Sequence, residues 1–427
     1  MLLRDLAAAL RNGSRTPVTT LETALTAVGQ IEGELKAWVE IDAEGARNAA
    51  KALEASDAPR GPLWGVPVGI KDLVDVAGLP TRCGTSLRGD QPAGSDADCV
   101  QLLRSAGAVI VGKTVTTEFG YFRPGPTRNP ANRDYTPGGS SSGSAAAVAA
   151  GTIPLALGTQ TAGSLTRPAS FCGAAGFVAA TGTFSLAGVA GLSHSLDSLG
   201  FLCQSVADLQ YVWDALRDPS QPAVPAAHPE AASLLLWDGS ELGELSPAMS
   251  EALEHAKTVV SGGMAEWSEH GLVVQLADAH ATVMAYEAAR ERSAELPYLD
   301  QLSAPLAELL NTGLVTAEDD YKAALETISS GRKKVLSLFD SCDAILGPAA
   351  LGAAPKGIEA TGTPVLSRPW QALGLPVIAI PGLHDDSGMP LGLQLIGRPG
   401  HEETLFSIAQ YIEAALTPSR IPAFPNP

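Results

Sequence analysis

The sequence predicts an α/β layered protein, on three observations. Apolar runs of strand length alternate with longer segments of helical spacing along most of the chain, the pattern that stacks helices on a sheet. Only 17% of the 427 residues are charged and 45% are hydrophobic, so the chain is not a disordered segment and holds ample material for a large core. The 44 glycines and 31 prolines exceed ordinary usage of roughly 12%, which in an ordered chain marks many tight backbone passages. Length alone leaves open two or three average domains or one large one.

The elements follow in order. The first sixty residues read as helical: Thr19 or Thr20 can cap a segment whose apolar residues fall at Leu21, Leu25, Val28 and Ile31, and a second helix spans Glu44 to Glu54. The turn Gly61–Gly65 leads into a buried strand, Val66–Ile70, with Lys71 and Asp72 at its end. Ser95 can cap a helix running to about Ala106, and Val109–Val111 is a second strand. Residues 129–144 are turn-rich, and an Ala-rich helix follows to about Ala150. Ser205 and Asp208 form a capping box for a helix over Val206–Leu216, and Asp218–Ala232 reads as a surface connection. Beyond it, strands are expected at Leu234–Trp237, Leu272–Leu276, Ala344–Leu346, Val377–Ile380 and Leu393–Ile396. Helices are expected at Pro247–Val260, Ala279–Ala294, Ala317–Phe339 and Glu402–Ala415. There is no internal repeat.

The formal net charge of −18 argues against nucleic-acid binding, which needs a basic footprint. The start, Met1-Leu2-Leu3-Arg4-Asp5, sets an acid where an apolar signal core would begin. The nearest approach to a membrane span, Ala145–Leu157, is broken by Gly151 and Pro154. Five scattered cysteines without a C-x-x-C pair suggest neither a zinc site nor a disulfide framework. The expectation is a cytoplasmic protein with reduced thiols and no membrane contact.

Two motif matches fail on context. Gly107–Thr114 fits the phosphate-loop pattern, but its intervening Ala-Val-Ile-Val will lie extended and cannot cradle an anion. Gly139–Gly143 fits a nucleophile elbow centred on Ser141, but the polar residues 132–137 supply no entering strand, and the late His384 and His401 sit in loop-like surroundings.

Chemistry concentrates in Pro137–Gly182, where Gly, Ser and Ala are interleaved with Val148, Ile153, Leu155 and Leu157 that must be buried. Small residues in a buried segment let backbone approach backbone, or a ligand. A serine hydrolase lacking a histidine can use a lysine desolvated enough to be neutral, and Lys71 at a strand end is the candidate, although such a lysine is more often a solvated structural residue.

These residues resemble the amidase signature family. The likeness rests on GVPVGIKD (Gly65–Asp72), PGGSSSGSAAAVAAG (Pro137–Gly151) and LALGTQTAGS (Leu155–Ser164). Weaker support comes from SLDSLG (Ser195–Gly200), LGLPVIAIP (Leu373–Pro381) and LGLQLIG (Leu391–Gly397). The resemblance implies one large α/β/α domain over 1–427 with a central mixed sheet, a signature core at about 60–210 and a variable, substrate-shaping region at about 215–345. It implies an amide hydrolase with a Ser–cis-Ser–Lys triad: Ser164 as acyl-forming nucleophile, Ser140 as the bridge in a cis peptide after Gly139, and Lys71 as base. Backbone N–H groups of Thr161, Ala162, Gly163 and Ser164 would form the oxyanion hole, and Ser141 would help position triad or substrate. No metal and no cofactor is called for. Cys172 reads as a packing residue, since nothing nearby would make a thiolate.

The chain departs from the family pattern GTDTGGSIRxPA. Gln160 stands for the acid and is placed with the substrate-contacting residues, Thr166 stands for the arginine, and Arg167 follows one residue later. The variant resembles a bacterial subgroup that includes malonamidase, in which this arginine grips a substrate carboxylate. The competing reading of Arg167 is a structural ion pair. Val178-Ala179-Ala180 replaces the usual Lys-Pro-Thr, and substrate preference is expected to involve Arg123–Arg128 and the Tyr286–Tyr321 region. The expected partners are a small-molecule amide and water, with homodimers common in the family. Alternatives are a urethane, carboxylated-biuret or aryl-amide hydrolase, a glutaminase-type component of an amidotransferase, and a non-catalytic relative.

Overall fold

Eleven strands join in one continuous mixed sheet. They are β1 (Trp38–Ile41), β2 (Pro67–Lys71), β3 (Val109–Thr114), β4 (Leu155–Gln160), β5 (Ala175–Val178), β6 (Ser198–Cys203), β7 (Ser233–Leu236), β8 (Gly263–Glu266), β9 (Ala344–Pro348), β10 (Val377–His384) and β11 (Pro390–Ile396). Their spatial order is β1-β3-β2-β4-β6-β5-β10-β11-β9-β7-β8. Pairing is parallel between β2 and both β3 and β4, and between β7 and both β8 and β9; the remaining pairs are antiparallel. This computed structural model describes residues 2–218, 220, 228–260 and 263–417. Among them no helix is long and apolar enough to cross a membrane.

Every residue of β2, β3, β4, β5, β6, β9 and β11 is buried. Side chains alternate between the two faces of a strand, so a strand buried at every position is covered on both faces. That is the layered α/β architecture the alternation predicts. The helix Ser142–Ala149 lies deepest, with residues 142–148 all buried, and its composition follows from that position. A Cβ on Gly143 would stand 2.1 Å from the Ala37 carbonyl oxygen and 2.4 Å from the Val115 nitrogen, so the backbone approach excludes any side chain there.

Several boundaries move. Thr16, not Thr19 or Thr20, caps the helix Pro17–Leu35: its side chain accepts from the Thr19 nitrogen and Pro17 takes the first turn. The helix expected from Ser95 starts at Asp98 and has no side-chain cap. The Ser205 hydroxyl accepts from the Asp208 nitrogen as expected, but the Asp208 carboxylate turns to the Arg4 nitrogen, so the reciprocal half of the box is spent elsewhere. The strand expected at Leu272–Leu276 does not exist. Those residues belong to the helix His270–Glu291, whose buried Val273, Leu276, Ala277, His280, Val283, Met284 and Glu287 recur at helical spacing. A stripe sustained over four turns outweighs a short apolar run. Most of the expected connection Asp218–Ala232 lies outside the described residues.

Candidate active site

Two neighbouring parallel strands bring the lysine to its partners. β2 ends at Lys71, and β4, paired beside it through Ile70 and Leu157, ends just past Thr159. Lys71 Nζ donates to Ser140 Oγ at 2.7 Å, to Thr159 Oγ1 at 2.7 Å and to the Thr159 carbonyl at 3.3 Å. The side chain has no solvent exposure. Burial lowers its pKa from 10.5 to about 7, with the Asp197 carboxylate opposing the shift. The next residue, Asp72, faces a different partner: it forms a fully buried ion pair with Lys113 at 2.9 Å. Lys113 belongs to β3, so the Gly107–Thr114 segment is extended strand, as its composition requires.

The Gly139–Ser140 peptide bond is cis. Ser140, Ser164, Thr161, Ala162 and Arg167 open on one cleft. The Ser141 nitrogen donates to the Ser164 carbonyl at 3.0 Å and Ser141 Oγ to the Thr159 carbonyl at 3.3 Å, so Ser141 ties the two serine segments together from behind. Between β4 and the helix Thr166–Cys172, the N–H groups of Thr161, Ala162, Gly163 and Ser164 donate to no acceptor among the described residues. Four consecutive free amides beside a serine hydroxyl can receive a developing negative charge.

This loop is held from both sides. The Thr161 hydroxyl donates to Asp197 Oδ1, while Asp197 Oδ2 accepts from the Leu192 and Ser193 nitrogens at 2.8 and 3.0 Å. Burial pushes the Asp197 carboxyl up, and the Thr161 hydroxyl and the two amides hold it back. His280 Nε2 lies 2.8 Å from the Thr161 carbonyl oxygen. That partner only accepts, so Nε2 carries the proton, and burial lowers the imidazole to about 3. Glu287, also fully buried, accepts from Ser193 Oγ at 2.6 Å, the Ser195 nitrogen at 3.0 Å and Tyr321 Oη at 2.8 Å, and so anchors the segment that carries Asp197.

Two expected substrate residues have other tasks. Gln160 does not line the cleft. Its Oε1 accepts from the Leu165 and Thr166 nitrogens, both at 3.0 Å, and its Nε2 donates to Gln371 Oε1 at 3.0 Å. It therefore serves the unpaired amides at a helix start, as an acid would, without the charge. Ser141 is fully buried behind the cleft. Cys172 is buried against the Pro137 carbonyl and its thiol is pushed up by burial, an inert packing residue. Val178 closes β5, and the Ala179 nitrogen bonds to the Leu199 carbonyl, so that variant segment is a sheet anchor.

Arg167 does line the cleft, and no carboxylate pairs with it among the described residues. Nη2 donates to the Gly139 carbonyl at 2.6 Å and to Thr361 Oγ1 at 3.3 Å, while Nε and Nη1 are buried without partners. Burial lowers its pKa to about 9, and the nearby Arg368 adds to that. The expected structural ion pair is absent from this described environment. The remaining walls come from Tyr121 and Phe122, just ahead of the expected Arg123–Arg128, and from Met284 next to Tyr286, which stacks on Tyr321 at 4.0 Å. Thr361, Pro364 and Arg368 also line it and lie beyond the expected variable region. No local sequence signal marks them, whereas Asp197 sits inside the SLDSLG segment, which does mark it.

A family model described as Amidase matches residues 19–233 and 211–406. The glutamyl-tRNA(Gln) amidotransferase A-type subunit of Anaeromyxobacter sp. (strain K) is 32% identical over 487 aligned residues, covering 100% of this chain and 98% of that protein. The same subunit of Lachnospira eligens is 31% identical over 453 residues, covering 92% and 93%. Among solved structures, a protein from a vestigial complex bearing on the origins of an s-triazine catabolic enzyme superposes with a TM-score of 0.87 at 28% identity, over 96% of this chain and 98% of that one. The peptide amidase of Stenotrophomonas maltophilia superposes with a TM-score of 0.83 at 26% identity, over 99% and 98%.

Proposed function

The chain belongs to the amidase family, and from that premise we propose that it hydrolyses the C–N bond of a small amide bearing a carboxylate. One observation carries the chemistry: Lys71 Nζ lies 2.7 Å from Ser140 Oγ at the back of the cleft that Ser140 shares with Ser164. In this scheme neutral Lys71 accepts the Ser140 proton as Ser140 takes that of Ser164, and Ser164 Oγ bonds to the amide carbon. The oxyanion is received by the free amides of residues 161–164. The proton returns through Ser140 to the leaving nitrogen, and water cleaves the acyl ester by the same relay.

Arg167 supports the carboxylate. Arg167 lines the cleft, and two of its N–H-bearing nitrogens are buried without partners, so a planar two-oxygen anion reaching it would meet unspent donors. The likeness of its position to the malonamidase subgroup points the same way.

A second reading is a glutaminase-type component of an amidotransferase, and the curated relatives support it more directly than the first, because both named above are such subunits along nearly their full length. Glutamine is itself a small carboxylate-bearing primary amide, so the two readings share the site and differ in partners. A urea-derivative substrate, such as a carboxylated biuret, would use the same nucleophile and the same free amides. A panel of succinamate, succinamide, glutamine, a carboxylated biuret and an aryl amide, assayed for released ammonia or amine with the purified chain and with Ser164→Ala, separates them. Turnover that survives in Ser164→Ala sinks the scheme. Glutamine hydrolysis that emerges only with added partner subunits favours the second reading.

A further inference from the structure

A second arginine opens on the same cleft. Arg368 starts the helix Arg368–Ala372 and is half-buried. Its Nε is buried without a hydrogen-bond partner, and no carboxylate lies within ion-pair distance of it among the described residues. Burial lowers its pKa; the groups that oppose this are the Tyr121 phenol, which lines the same cleft, and Asp278, which sits at an exposed helix position. The two guanidiniums sense each other, since Arg368 disfavours the charged form of Arg167. Two like charges lining one cleft, neither paired with a carboxylate among the described residues, are a cost that an anionic occupant relieves.

The serine at which the bond would be broken lines the same cleft. An occupant of the cleft therefore has Ser164 and both arginines among its neighbours. We propose that Arg368 and Arg167 together form an anion-binding subsite, each guanidinium engaging one oxygen of a single substrate carboxylate, and that this subsite selects small carboxylate-bearing amides over their neutral analogues. The inference rests on the hydrolase reading for its carbonyl position but not for the binding of the anion. It has a consequence for the product. Hydrolysis adds water across the C–N bond, releasing the amine and leaving a second carboxylate where the amide stood. The released acid is then a dicarboxylate that retains its grip on both arginines and competes with substrate.

The test uses the full chain carrying Ser164→Ala, titrated by calorimetry with succinamate and with succinamide, which differ in one charged group. Succinamate is expected to bind about 30-fold or more tightly than succinamide, in line with charge-assisted hydrogen bonds. Adding Arg368→Gln should cut that preference about tenfold, and Arg368→Lys should restore part of it, because the charge returns without the fork. Circular dichroism and the melting temperature establish that each variant is folded. Succinate should inhibit wild-type turnover of succinamate competitively, and less so in Arg368→Gln. A preference unchanged in both folded Arg368 variants overturns the proposal, as does the absence of any preference in the Ser164→Ala protein. Wild type that turns over no amide, combined with Arg368-dependent succinamate binding, removes the hydrolase reading and leaves the subsite standing.

Discussion

Lys71 Nζ donates to Ser140 Oγ and to Thr159 Oγ1 at the same 2.7 Å, from a side chain with no exposure to solvent. Two hydroxyl acceptors hold the amine in place without supplying a contacting negative charge, and burial sets its pKa at about 7. If neutral Lys71 is the base, kcat/KM should rise about tenfold per pH unit below 7 and level off above it. A profile that is flat from pH 5.5 to 8.5, or that falls, would falsify the assignment of Lys71 as base. Lys71→Met should lower kcat on the order of 10³-fold or more while the protein stays folded.

The same shift makes a claim about stability. The unfolded lysine binds its proton up to about 10.5 and the folded one only to about 7, so between those values the unfolded chain holds more protons. Stability should therefore climb as pH rises through that window. Denaturant midpoints taken at pH 7 and pH 9 on wild type and Lys71→Met measure it: part of the rise should disappear in the variant.

His280 gives a prediction with the opposite reach. Its folded pKa near 3 lies below the ordinary 6.5, so the unfolded chain takes up a proton first as pH falls. Stability should drop from pH 6.5 towards 3, and His280→Gln should lessen the drop. Because His280 Nε2 positions the Thr161 carbonyl behind the four free amides, His280→Leu should lower kcat about tenfold with KM nearly unchanged, less than the roughly 10²–10³-fold cost of losing a whole oxyanion donor. Gln, with an amide N–H near the place of Nε2, should recover most of it. Equal losses in Leu and Gln would reduce His280 to packing.

Gln160→Ala should cost about 2 kcal/mol, since it strands the Leu165 and Thr166 amides and Gln371 Oε1 in a buried place. The check is a denaturant titration. Gln160→Glu should keep the two amide contacts but set a carboxylate against Gln371 Oε1, so Gln371 must turn its amide for that variant to approach wild type.

Legibility follows physical locality. Ser140 and Ser164 are reached through the resemblance, which rests on long ordered stretches such as Pro137–Gly151 where close backbone passage restricts residue type; Lys71 taken alone reads more readily as a solvated strand-end lysine. The layered fold is readable because β2 and β3 are buried on both faces and so are written as apolar runs. The start of the helix His270–Glu291 misleads because Leu272–Leu276 taken alone has no period to show; its stripe emerges only out to Glu287. Gln160 resembles a substrate residue because sequence shows a departure from a motif but not the direction in which a side chain points. Arg368 and His280 carry no local signature at all, since what matters about each is a neighbour more than a hundred residues away.

The sheet places β2 and β4 side by side and parallel, so Lys71 and Thr159 sit at adjoining strand ends, with Ser140 and Ser164 on the loops beside them. Everything that would form or break a bond comes from residues 71–164, whereas Met284, Thr361, Pro364 and Arg368 come from the later part of the chain. Bond-making is thus written in one stretch of polypeptide, while the choice of molecule is shared between that stretch, through Tyr121, Phe122 and the adjacent Arg167, and the later one. Drift or engineering in the second stretch can redirect the enzyme to a new compound while the first keeps its working order, which makes grafting the later stretch between relatives a practical route to altered selectivity.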